Sequence, residues 1–189
     1  DNIGRTPLHL ATGLKNRPIV EALLREEADM EAADPDGHTA LHLAVVNDDT
    51  DLVSVLTSLM ANIEAEDTLM RRPIHLAAQK GSESIVDILI QCGAIPHSQT
   101  ASGSDAIWQA FKSGNLELSM ILLTNGFDVN TIGPLGMTAL HFAAGSDNPS
   151  MVLQLLDHGA DISTADEWGW TPLHTAASAG HDKVVTLLL

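Results

Sequence analysis

The chain has 189 residues and carries 25 Asp plus Glu against 9 Lys plus Arg, a formal net charge of −16. That balance, spread over both halves, works against functions that rely on neutralising phosphate, so neither nucleic acid nor an acidic membrane surface is an expected partner. The lone cysteine, Cys92, excludes an intrachain disulfide and points to a reducing intracellular compartment, cytoplasmic or nuclear, and no run of about 18 apolar residues reads as a membrane span.

Along the chain, helices alternate with turns. Residues from about Thr6 to Leu14 and from about Pro18 to Arg25 predict a pair of short helices. Asp34-Pro35-Asp36-Gly37 is a strong turn signal, and the next helix pair is separated by Asp48, Asp49 and Asp51. Those aspartates lack the loop spacing and distal Glu of a calcium site, so a solvated acidic turn is expected. The same reading applies to the run Glu26, Glu27, Asp29, Glu31, Asp34 and Asp36. Further on, Met70 stands where a turn glycine is expected and Arg72 where a capping Thr is expected. The hairpin there should be distorted or looser, and a lost cap costs about 0.5–2 kcal/mol.

Ile95-Pro96-His97 departs from the pattern as well, since other units place Asp or Asn there and then an apolar residue. Asp105 can cap the following helix, although Trp108 and Gln109 replace the His and Leu seen elsewhere. Gly136, Thr138 and His141 restore the pattern. The last stretch is its fullest version. Asp166-Glu167-Trp168-Gly169 forms a turn, Thr171 caps, and Pro172 takes the first helical position, where its missing N–H costs nothing. Leu173, Ala176 and Ala177 then form a narrow apolar face, Gly180 stops the helix, and Val184, Val185, Leu187 and Leu188 open another. Helices this short are marginal alone, so each unit needs neighbours.

The units repeat at a fixed spacing of 33 residues. Thr6, Thr39, Arg72, Asp105, Thr138 and Thr171 open the stretches TPLH, TALH, RPIH, DAIW, TALH and TPLH, with no insertion or deletion between them. A period of 33 carrying TPLH resembles the ankyrin repeat family. The units are 1–33, 34–66, 67–99, 100–132, 133–165 and a partial 166–189, one array covering 1–189. The resemblance implies an all-α, helix-turn-helix solenoid with short β-hairpin or turn connections, inner helices concave and outer helices convex. It also implies that His9, His42, His75, His141 and His174 bond the cap hydroxyl and nearby backbone, tying the turns together. A shared metal is excluded by spacing, because packed helices lie about 8–10 Å apart and ligand bonds are about 2 Å.

No catalytic or cofactor motif is present: there is no GxGxxG, phosphate loop, HExxH or GxSxG. Cys92 is expected to be inert, and His38, His97, His158 and His181 to be singly exposed. The expected function is a non-catalytic protein-interaction module without cofactor or metal, whose partner is another protein or peptide segment. The alternative is a regulatory or tethering part of a larger enzyme or channel.

Residues flanking the turn glycine are not needed for packing, so they are free for recognition. After it come Arg5, His38, Arg71, Ser104, Met137 and Trp170, and before it Ile3, Leu69, Leu135 and Trp168. This row runs from basic or polar to apolar. The candidate anchor is Trp168 and Trp170 with Met137 and Leu135, and Arg5, Arg71, His38 and Ser104 line the other end. The tryptophans could instead pack on each other or on the previous hairpin. The first unit lacks a polar cap and the chain stops at Leu187-Leu188-Leu189 inside a helix. This predicts either a fragment of a longer protein or a disordered tail, and weak end-to-end self-association.

Overall fold

Each repeat builds its first helix from the cap outward. Thr6 sits in an extended conformation before Pro7, and its Oγ1 accepts the His9 N–H at 3.3 Å. The second helix is capped by a short polar side chain: Asn16, Asp49, Asn115 and Asn148 each accept an N–H three residues on. In the computed structural model, which describes residues 1–95 and 99–189, these signals produce helical hairpins throughout. No strand occurs among the described residues.

The chain forms two compact units, Asp1–Ile95 and Pro96–Leu189. The first contains α1 (Pro7–Gly13), α2 (Arg17–Arg25), α3 (Ala40–Val46), α4 (Thr50–Ser58), α5 (Pro73–Lys80) and α6 (Glu83–Gln91). Here α1, α3 and α5 pack side by side, each against its own second helix, and α4 packs on α6. The second unit contains α7 (Ala106–Ser113), α8 (Leu116–Thr124), α9 (Ala139–Gly145), α10 (Pro149–Asp157), α11 (Pro172–Ala179) and α12 (Asp182–Leu188), with a 3₁₀ turn at Pro134–Gly136. It repeats the scheme: α9 packs on α7 and α11, and α10 on α12.

Close approach of the first helices needs a small residue at the contact, and Ala11, Ala44 and Ala77 supply it in one unit, Ala110, Ala143 and Ala176 in the other. Around them, Leu41, Leu52, Leu56, Ile74, Ile85 and Leu89 fill the first core. Ile107, Phe111, Leu118, Leu122, Leu140 and Met151 fill the second.

The connections are turns, each closed by a backbone bond from residue i to the carbonyl of i+4. These include Asp34 to His38 at 2.9 Å, Asp67 to Arg71 at 3.0 Å and Asp166 to Trp170 at 2.8 Å. Met70 does not distort its turn. It takes the left-handed conformation at φ 56° that Gly37 takes at φ 80°, and its N–H bonds Asp67 O at 2.9 Å, as Gly37 bonds Asp34. The sequence substitution therefore appears as backbone strain of about 1–2 kcal/mol, not as looseness. Arg72 cannot accept the cap bond, and its guanidinium instead pairs with Glu64 and with Glu66, the latter at 2.9 Å.

Candidate protein-interaction surface

The hairpin tips are built on an aspartate. Asp1 Oδ1 accepts the N–H groups of Ile3 and Arg5, Asp34 Oδ1 those of Asp36 and His38, and Asp67 Oδ1 those of Leu69 and Arg71, all at 2.8–3.0 Å. Tips also stack within each unit. The Thr68 N–H reaches Asp36 O at 3.0 Å, and the Glu167 N–H reaches Leu135 O at 3.1 Å. Gly37 permits this approach, because a Cβ there would meet Thr68 N at 2.7 Å.

Behind the tips lie the repeated histidines. His42 Nδ1 accepts the Thr39 N–H at 3.2 Å, and its Nε2 lies 3.1 Å from the Arg71 carbonyl. His9 reaches Ala32 O and His141 reaches Trp170 O, both at 2.9 Å. With Nδ1 accepting, Nε2 donates, so His42 and His141 each tie their own cap to the next tip, and His9 ties its cap to the backbone just before that tip. Burial pushes the His42 pKa below the ordinary 6.5.

This geometry sorts the row of candidate residues. Arg5 pairs with Asp1 through Nε at 3.0 Å, and Arg71 with the buried Asp67 through Nε at 2.6 Å. Both guanidiniums are thus already engaged by their own tips. Burial opposes ionisation of Asp67. The backbone and guanidinium bonds from Arg71 and the Leu69 N–H outweigh it and hold the carboxyl below 3.8.

Three expectations for polar side chains are corrected. His38, expected at the surface, is wedged between Asp34 and Asp67, 3.6 Å from each, because the next tip covers it. Ser104 is only 2% exposed and is hydrogen-bonded to Thr100 and Ser102, so it presents no contact surface. The acidic residues are also not merely solvated: Asp49 caps α4, Asp51 pairs with Arg17 at 2.9 Å, and Glu31 accepts the Asn62 N–H at 2.8 Å. His181 contacts Gly145 O at 3.2 Å, His158 and Cys92 are exposed, and His97 lies outside the described residues. Asp34, Asp36 and His38 bring one possible ligand atom each within 4.8 Å of one another, but Asp34 Oδ1 is committed to the turn.

The apolar end behaves differently. Trp168 is 64% exposed, Trp170 43% and Leu135 51%, while Met137 is half-buried. Met137, Trp168 and Trp170, with Asp166 and Thr175, line a groove of about 460 Å³. Asp166 and Thr175 escaped the sequence reading because both had local roles, in a turn and on a helix. The signal that could have marked Asp166 is the missing cation four residues on.

The helical hairpins, the period and the histidine ties all recur together, and a family model described as Ankyrin repeats (3 copies) matches residues 1–67, 74–166 and 122–189. The chain belongs to the ankyrin repeat family. A search of curated proteins finds no match to it. Ankyrin repeats are generally protein–protein interaction modules and generally non-catalytic. Among the described residues, no helix of this ankyrin repeat chain is long and apolar enough to cross a membrane.

Proposed function

We propose that the chain is a non-catalytic binding module that takes a segment of another protein on the tips of its second unit. Trp168 and Trp170 act as the anchor, with Met137 and Leu135 beside them. The observation that carries this reading is the pair of exposed tryptophans walling an apolar groove of about 460 Å³. Exposed indoles give up little surface contact when unbound and gain much when covered, which is why Trp is enriched at binding hot spots. Arg5 and Arg71, engaged by their own aspartates, leave the second unit as the better surface.

The test uses captured partners whose binding can be titrated. Trp168→Ala with Trp170→Ala should weaken a true partner by about 2 kcal/mol or more, with an unchanged circular dichroism spectrum. Full retention of every captured partner by the folded double variant overturns the reading.

A further inference from the structure

The turn aspartates follow a rule that the sixth repeat breaks. In Asp1, Asp34 and Asp67 the second oxygen, Oδ2, meets a nitrogen-bearing side chain four residues on. The partners are Arg5 Nε at 3.0 Å, His38 Nδ1 at 3.6 Å and Arg71 Nε at 2.6 Å. Asp166 keeps the first half of this arrangement, its Oδ1 accepting the Trp168 and Trp170 N–H groups at 2.9 Å each. The residue four on is Trp170, which brings no cation, and Asp166 Oδ2 has no partner among the described residues. Asp166 lines the tryptophan groove. The groove therefore holds a carboxylate in the setting that the chain itself fills with a guanidinium at two other tips.

We propose that this groove takes an arginine side chain of a partner protein, its guanidinium paired with Asp166 and stacked on the indoles. The inference rests on the interaction reading above and names the chemistry of the occupant. A planar, weakly hydrated guanidinium can pair in its plane and stack on its face at once, which an ammonium cannot. The surrounding charge also favours it: residues 96–189 carry 9 Asp and Glu against 2 Lys and Arg.

The indole N–H signals of the intact chain report on the site, with buried Trp108 as internal reference. The probes are N-acetyl-arginine methylamide and its lysine and leucine counterparts at millimolar concentration. The arginine probe should shift the Trp168 and Trp170 signals saturably, more tightly than lysine and far more than leucine, and added salt should weaken it. Asp166→Asn keeps an oxygen for the two N–H groups and should weaken the arginine probe about fivefold. Trp170→Arg should supply the chain's own cation and abolish the Trp168 shift. Equal binding of leucine and arginine, unchanged in Asp166→Asn, overturns the cation while leaving the groove as an anchor. No shift with the arginine probe also overturns it. The effect of Trp168→Ala with Trp170→Ala on captured partners then decides the broader reading separately.

Discussion

Trp108 lies so closely over Gly133 that a Cβ on Gly133 would meet the indole Cδ2 at 2.7 Å. Position 108 carries His in every other repeat, and position 133 carries Asp or Thr at the start of every other tip. The two departures are therefore one. The large ring takes the space that the turn side chain fills elsewhere, and it also packs edge-on against Phe142, with ring centroids 6.2 Å apart. Gly133 has φ −91°, so it is glycine for space and not for backbone freedom.

Gly133→Ala should accordingly destabilise the chain by about 1–3 kcal/mol through overpacking. In a Trp108→His background the same change should cost much less, giving a coupling of about 1 kcal/mol or more in a double-mutant cycle. Urea midpoints of the four proteins measure it. A cost that is equal in both backgrounds would show that the two residues are independent.

Met70→Gly should stabilise by about 0.5–1 kcal/mol, because the left-handed strain disappears and the half-exposed side chain gives up little burial. Adding Arg72→Thr should raise the melting temperature further only if the regained cap exceeds the lost pairs to Glu64 and Glu66. We expect the single Met70→Gly change to account for most of the gain. Thermal unfolding of both variants decides the split.

Acid should weaken the fold in two stages. The His42 pKa is lowered from 6.5 in the native state, so the unfolded chain binds this proton first as pH falls. The contribution is fully present above 6.5 and declines below it, until the native ring also takes up a proton. The Asp67 pKa is lowered from 3.8, so its contribution holds above 3.8 and is lost as pH falls through the lower native value. Urea midpoints measured from about pH 7 to about pH 5 should fall, and His42→Gln should flatten that slope. An unchanged slope in the variant would remove His42 from the account.

The period, the helices and the turns were legible in the chain because each signal is local. A cap acts over three residues, a turn aspartate over four, and Pro7 or Gly37 acts through its own backbone. Hence helices expected from about Thr6 and Pro18 appear at Pro7 and Arg17, with Thr6 and Asn16 as their caps. Even Met70 obeyed the local frame, since its turn bond to Asp67 and the stacking of its tip on the preceding one outweigh its preference for φ below zero. Burial could not be read the same way, because the covering atoms come from far along the chain. His38 is covered by Asp67, 29 residues on, and Gly133 is filled by Trp108, 25 residues back. Identical register positions therefore end as a buried serine at 104, an ion-paired arginine at 71 and an exposed tryptophan at 170. The repeat sets where each side chain starts, and only the packing of one tip on the next decides how much of it water can reach.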